Sequence, residues 1–459
     1  MSKLVKDSAH HSNKTSRRTG PGPVSPGRLA AYHHLTRIEE ESSYASVLLA
    51  GEKRLSERDR ALAYELTMGV LRRQLFLDRL IAHYAARDPE RLDPEVRRIL
   101  RLGLYQLRFL TRIPASATVN DAVKLVRFAR VRSADRFVNA VLRRATREPN
   151  YDVLNAIEDP VERVAVETSH PRWLLERWMN CFGLEHASAF AHANNETPRV
   201  SFRLTGSESE NNKTLERLHA NAAIVPSAVV KNAWRIEGAM SLLRQLAQEG
   251  RLYVQDEASQ LVSQILDPKP GDLVLDLCAA PGSKTTHLAS LAADQATVVA
   301  GDLHDHRIRL VKRAARLQEI DSVRCVVLDG HSLPFSDAPF NRVLVDAPCS
   351  GTGTLRRNPE IRWRISPADI EDLSERQKQL LHNAARAVKP GGRLVYSTCS
   401  VETEENEVVV EDFLERNSNF SRLRPQVATA LLTPSEAVRT WPHEQQTDGF
   451  FIAAFEREG

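Results

Sequence analysis

Two short strings each place a cysteine just beyond an apolar run: Val343-Leu-Val-Asp346-Ala-Pro-Cys349 and Val395-Tyr-Ser-Thr-Cys399. A single cysteine in such a setting is ordinarily a small hydrophobe. Two of them behind adjacent strand ends, one beside an Asp-x-Pro turn, make a set suited to nucleophilic chemistry. C5 of a pyrimidine is too weak a nucleophile to take a methyl group unaided. Thiolate addition at C6 makes C5 carbanion-like, and later elimination requires loss of the C5 proton. With an ordinary pKa near 8.5, a thiol at pH 7 needs about 2 kcal/mol to ionise, so the site must assist that step. Asp346 is placed to hydrogen-bond N3 and the amino group of a cytosine.

A second series of residues points to a cofactor. Asp276, Asp302, Asp329 and Asp346 each close an apolar strand pattern. Ligands of open α/β sheets bind at such strand ends. The turn Asp276-Leu-Cys-Ala-Ala-Pro-Gly-Ser-Lys284 is small and compact, so backbone can approach a ligand closely. It has neither the G-x-G-x-x-G nor the P-loop spacing, which disfavours a pyrophosphate. Asp302, 26 positions after Asp276, suits ribose hydroxyls. Asp329 is suited to accept from an adenine amine. An adenosine without phosphates implies S-adenosylmethionine.

The elements that must carry these groups come in three textures. After Gly250, strands alternate with helices: Asp272–Asp276, Ala296–Ala300, Val323–Leu328, Arg342–Val345 and Arg393–Ser397, with a long helix from Ser366 to Val388. That alternation predicts a doubly wound parallel sheet over 250–459. Residues 28–150 read as an all-helical bundle, with helical spacing over Asp59–Ile81 and Pro94–Leu110. Pro114 ends the second of these, and Asn120 or Asp121 is a candidate cap for the next helix. Residues 151–249 read as mixed α+β, with strands in Thr197–Thr205 and Trp234–Ile236 and a loop near Gly206–Asn212. Residues 1–27, rich in Ser, Lys, Arg, Pro and Gly, read as a disordered tail without an apolar signal core.

Charge is unevenly spread. The chain has 63 Lys+Arg and 59 Asp+Glu, a net of +4. Residues 97–147 alone hold 13 basic and 2 acidic residues, a net of +11, which leaves −7 for the rest. Lys124, Arg127 and Arg130, then Arg136, Arg143 and Arg147, recur along helix sides, as a surface for a polyanion would. Five cysteines without regular spacing fit a reducing, cytoplasmic compartment better than a disulfide framework. Cys181 and Cys325 read as packed residues. No sequence-local Cys/His set has zinc-site spacing, so no metal is expected, and no apolar run is long enough to span a membrane. Oligomeric state is not encoded in these patterns.

Asp276-Leu-Cys-Ala-Ala-Pro-Gly-Ser-Lys-Thr-Thr-His-Leu-Ala289, Val343–Gly353 and Val395–Glu407 together resemble the Sun/Fmu-type family of RNA (cytosine-5) methyltransferases. The match spans about 250–459, with Tyr253–Leu261 and Asp448–Arg457 at its ends. The helical region is similar to the antitermination protein NusB in Asp59–Arg73, Val119–Arg127 and Phe137–Arg144. That pairing resembles the family's small-subunit ribosomal RNA group. The resemblance implies Cys399 as the nucleophile attacking C6 and Cys349 as the group that assists release of the product. It also implies a cofactor site lined by Cys278, Ala279, Ala280, Pro281, Gly282, Ser283, Lys284, Asp302, Asp329 and Asp346. Ser283 stands where the family usually has glycine, and Asn341 where aspartate is common. The implied substrate is a cytosine of 16S rRNA before the subunit is fully assembled. Another RNA target, or an RNA-binding antitermination-type factor without catalysis, is the alternative.

Overall fold

The computed structural model describes residues 23–52, 54–335 and 338–459. The expected tail therefore lies outside the described residues up to position 22, and α1 already begins at Pro26. The chain divides into two compact units. One comprises residues up to Ser43 with Val47–Val70 and Leu77–Tyr151; the other comprises Tyr44–Ser46, Leu71–Phe76 and Asp152–Gly459. Among the described residues, no helix is long and apolar enough to cross a membrane.

The helices of the N-terminal region are α1 (Pro26–Glu40), α2 (Ala45–Gly51), α3 (Glu57–Arg72), α4 (Gln74–Ala85), α5 (Pro94–Phe109), α6 (Ala115–Phe128) and α7 (Asp135–Arg147). The single helix expected over Asp59–Ile81 is two, broken between Arg72 and Gln74. On α5, Ile99, Leu100 and Leu104 are buried, as their spacing requires. Gly103 on the same face lets α7 approach: a Cβ there would sit 2.8 Å from Leu142. The cap expected at Asn120 or Asp121 is absent, because α6 starts directly after Pro114. Asp121 instead lies within α6 and accepts from Arg28 and Lys124, both at 3.0 Å.

The basic segment splits into two populations. Arg98 and Arg101 are buried. Arg101 reaches Asp78 at 2.7 Å and Glu39 at 3.0 Å, and Arg98 reaches Glu40 at 2.8 Å. Arg127 is tied to Asp135 at 2.7 Å. Arg108, Arg112, Arg130, Arg132, Arg136, Arg143 and Arg147 lie at or near the surface.

The second unit begins with α8 (Pro160–Thr168), α9 (Arg172–Phe182) and α10 (Leu184–Ala193). A small antiparallel sheet follows, in the order β2-β3-β1-β4, from β1 (Val200–Leu204), β2 (Ala223–Pro226), β3 (Ala233–Glu237) and β4 (Leu252–Val254). Helices α11 (Glu208–His219) and α12 (Met240–Gln248) pack on it, burying Phe202, Leu218, Ile236 and Leu246 together. The loop expected near Gly206–Asn212 is instead the start of α11. The Glu210 carboxylate accepts from the Ser207 N–H at 3.0 Å and its hydroxyl at 2.9 Å, a reciprocal cap that polar composition alone disguised as a loop.

The larger sheet follows α13 (Glu257–Leu266). Its elements are β5 (Leu273–Asp276), α14 (Ser283–Leu291), β6 (Thr297–Asp302), α15 (Asp305–Leu317), β7 (Val323–Val327) and β8 (Phe340–Asp346). Then come α16 (Ile361–Arg364), α17 (Pro367–Ala387), β9 (Val388–Thr398), α18 (Glu407–Arg416), β10 (Phe420–Arg422), β11 (Val438–Thr440), α19 (Pro442–Gln445) and β12 (Phe450–Arg457). The path is β10-β12-β9-β8-β5-β6-β7, with β11 also on β12. The five expected strands are parallel, but β12 runs antiparallel to β9, with Phe451 opposite Thr398, and to β10 and β11. The sheet is thus mixed, where a parallel one was expected. Phe450–Phe455 are all buried, so they lack the alternation that marks a one-sided antiparallel strand.

Candidate functional site

The parallel strands β5, β6, β8 and β9 end at Asp276, Asp302, Asp346 and Thr398, which brings three carboxylates and the two cysteine turns to one edge of the sheet. Cys349 Sγ and Cys399 Sγ are 3.3 Å apart, both half-buried and neither in a disulfide. Beside them Lys284 Nζ sits 2.7 Å from Asp346 Oδ2, and the Ser397 hydroxyl donates to Asp346 Oδ1 at 2.8 Å. Burial pushes the Lys284 ammonium down, yet the charge of Asp346 and its hydrogen bond outweigh that, and the net shift is upward. The Cys349 thiol is pushed up by its contact with Cys399, then by burial and by the charges of Cys399 and Glu405.

The turn from Cys278 to Lys284 leads from β5 into α14. Asp302 accepts from the Ala280 N–H at 3.3 Å and the His304 N–H at 3.4 Å, and Arg307 lies 3.4 Å away. Ala279, Pro281, Gly282 and Ser283 complete the turn, and Ser283 opens α14 in the place where glycine was expected. The Asn341 side chain accepts from the Leu273 N–H at 3.0 Å, so the other departure joins β8 to β5. Asp276 is wholly buried; one carboxylate oxygen accepts from Thr285 at 2.7 Å, and the other has no hydrogen-bond partner among the described residues. Burial raises its carboxyl pKa to about 7. Burial also pushes the Cys278 thiol up, with Asp276, Asp346 and Asp302 adding to it. An unpaired buried acceptor and a compact turn beside Asp302 fit a cationic adenosyl ligand.

Asp329 lies beyond the end of β7 with its side chain 52% exposed, where it accepts from the His331 N–H at 2.9 Å. Cys325 is half-buried on β7, and Cys181 is exposed on α9 instead of packed. His186 and His443, distant in sequence, bring ring nitrogens within 4.8 Å of each other and of a Glu444 oxygen, so tertiary structure makes a His/His/Glu group that local spacing could not reveal.

Sequence reasoning also missed what holds the cysteines. Glu405, fully buried after β9, accepts from the Ser350 N–H at 2.8 Å and from Gln377 at 2.9 Å, and its carboxylate binds the Ser350 and Ser400 hydroxyls. Gln377 also donates to the Pro348 carbonyl at 2.8 Å. The Gly353 N–H donates to the Cys399 carbonyl at 2.9 Å, while the Gly353 carbonyl accepts from the Gly449 N–H at 2.8 Å. A Cβ on Gly353 would lie 2.0 Å from the Gly449 oxygen, so only glycine allows this clasp. Arg357 spans Asp448 at 2.8 Å and Asp256 at 2.9 Å. Each of these residues except Gln377 and Arg357 lies in a string already singled out by resemblance, but nothing in the spacing distinguishes a clamp from a solvated acid.

The parallel strands of the mixed sheet, with their end turn and acids, define a methyltransferase domain, and the family model described as 16S rRNA methyltransferase RsmB/F matches residues 263–456. Models of the NusB family and of the RsmF/B-like ferredoxin-like domain match residues 25–147 and 170–243. A Bacillus subtilis protein described as a probable ribosomal RNA small subunit methyltransferase B is 34% identical over 454 residues, 94% of this chain and 99% of its own. One so described from Synechocystis is 36% identical over 441 residues, 93% and 98% of the two chains. The solved structure of PH0851 is 29% identical with a TM-score of 0.79, over 95% of this chain and 100% of that one. The chain belongs to the RsmB/F family of 16S rRNA methyltransferases.

Proposed function

We propose that the chain methylates C5 of a cytosine in 16S ribosomal RNA, using S-adenosylmethionine and a covalent adduct between Cys399 and C6. The observation that carries this reading is the 3.3 Å approach of two free thiols beside the Lys284–Asp346 pair at the strand ends. A flipped or unpaired cytosine that reaches the two thiols is held by Asp346, which accepts from its amino group. Cys399 gives up its thiol proton to water, Sγ adds to C6, and the C5=C6 electrons move onto C5. Residues Cys278–Lys284, Asp302 and Asp329 would hold S-adenosylmethionine, which supplies an electrophilic methyl group when bound. Once C5 is methylated, its proton passes to water, the C–H electrons restore the C5=C6 bond, and the Cys399–C6 bond breaks. Cys349 assists by donating a proton to the departing sulfur.

Bringing a base to those thiols favours single-stranded or remodelled RNA, because the cytosine must leave its stack. The exposed Arg112, Arg130, Arg136 and Arg147 of the helical unit supply phosphate contacts without sequence preference. The test is Cys399→Ala assayed on unmodified 16S rRNA with labelled S-adenosylmethionine. Incorporation should vanish; undiminished incorporation overturns the nucleophile assignment. No incorporation by the unaltered chain on rRNA, with incorporation on tRNA, would move the substrate.

A further inference from the structure

The two cysteines sit in unlike electrostatic surroundings. On the Cys399 side, Lys284 brings an ammonium whose charge interacts with Cys399 and with Asp346. On the Cys349 side stands Glu405, fully buried, with hydroxyls, an amide N–H and a glutamine as its donors and no ion pair to Lys or Arg among the described residues. A buried carboxylate without a cation is costly to keep, even when hydrogen-bonded. It persists here where it joins two turns: Ser350 follows Cys349, and Ser400 follows Cys399. Gln377 on α17 reinforces the clamp by bonding both Glu405 and the carbonyl before Cys349.

We propose that Glu405 is a positioning residue for the cysteine pair: its carboxylate ties the Cys349 turn to the Cys399 turn and sets a negative charge toward Cys349, while Lys284 sets a positive one toward Cys399. This rests on the reading of Cys399 as nucleophile, and it supplies the physical difference that makes one thiol the attacker and the other a proton donor. Cys349 is held as the thiol. The groups facing the pair are Glu405 and Tyr396 on one side and Lys284 and Asp346 on the other. Tyr396, wholly buried with its own ionisation pushed up by burial and by Glu405, stays neutral and donates to the Glu405 carbonyl at 2.6 Å.

The test reads thiol ionisation directly, without RNA or S-adenosylmethionine. In a Cys399→Ser background, the pH dependence of iodoacetamide labelling is followed by mass spectrometry on the peptide carrying Cys349. Adding Glu405→Gln removes the charge and should lower the Cys349 midpoint by about one pH unit, a tenfold faster labelling below it. Glu405→Asp, which keeps the charge, should hold the midpoint. An unmoved midpoint in the Gln variant overturns the proposal even if methylation is lost, and a moved midpoint supports it even if rRNA proves the wrong substrate. Should the Gln variant fail to fold, Ser400→Ala keeps the carboxylate and removes one tie. It must then slow methyl transfer about tenfold with the Cys349 midpoint unchanged; an unchanged rate overturns the clamp.

Discussion

Lys284 lies 2.7 Å from Asp346, and this ion pair joins the turn after β5 to the end of β8. Lys284 also stands 5.2 Å from the centre of the Phe450 ring. With Ser397 on its other oxygen, Asp346 has both acceptors engaged before any base arrives. The residue proposed to hold a cytosine is therefore already oriented, with its charge balanced from the side of the cofactor turn.

Lys284→Met should leave Asp346 without its cation in a largely buried setting, at about 3 kcal/mol in stability. Methyl transfer should fall about a hundredfold or more, and Lys284→Arg should recover part of it. Thermal unfolding and single-turnover methylation measure the two effects separately.

Cys349→Ala should trap the enzyme on its product. A denaturant-stable RNA–protein adduct accumulates when release is impaired and attack is intact, whereas Cys399→Ala gives none. Gel analysis of a reaction with 16S rRNA reads both, and an adduct formed by Cys399→Ala would reverse the assignment of the two thiols.

Asp276 links folding to pH. Its carboxyl pKa is raised by burial to about 7, against about 4 in an unfolded chain. The neutral form's contribution is fully present below about pH 4 and is lost as pH rises toward about 7, by about 1.4 kcal/mol per unit. Asp276→Asn should flatten this part of the stability profile. The check is thermal unfolding of both proteins from about pH 5 to about pH 7.5, with their difference growing as pH rises.

Two classes of arginine in the helical unit should separate in experiment. Neutralising the outward Arg112, Arg130, Arg136 and Arg147 should weaken RNA binding. The salt slope should fall by about 0.7 to 0.9 for each phosphate no longer neutralised. Arg101→Met should instead destabilise the unit by about 3 kcal/mol, because Asp78 loses its cation and Glu39 keeps only Arg98. Filter binding across salt concentrations and calorimetry distinguish the two.

That division explains what could be read from the chain alone. Charge counting registers Arg101 and Arg136 alike, since only the packing of α1 and α4 against α5 turns one into an internal ion pair. The parallel strands and their terminal acids were legible because βα alternation and strand-end turns are local patterns. Strand β12 was not, being buried on both faces without a period. Glu405 lies in a run of acids, Glu402-Thr-Glu-Glu405, that composition reads as solvated. Its function depends on Ser350 and Gln377, contributed by other parts of the fold.

The clasp of Gly353 on the Cys399 carbonyl and Gly449 gives the site an order of assembly. Synthesis is vectorial, so both cysteines leave the ribosome before Gly449 and before β12, the strand that lies against β9. Until that strand is inserted, the peptide carrying Cys399 lacks one of its two flanking supports.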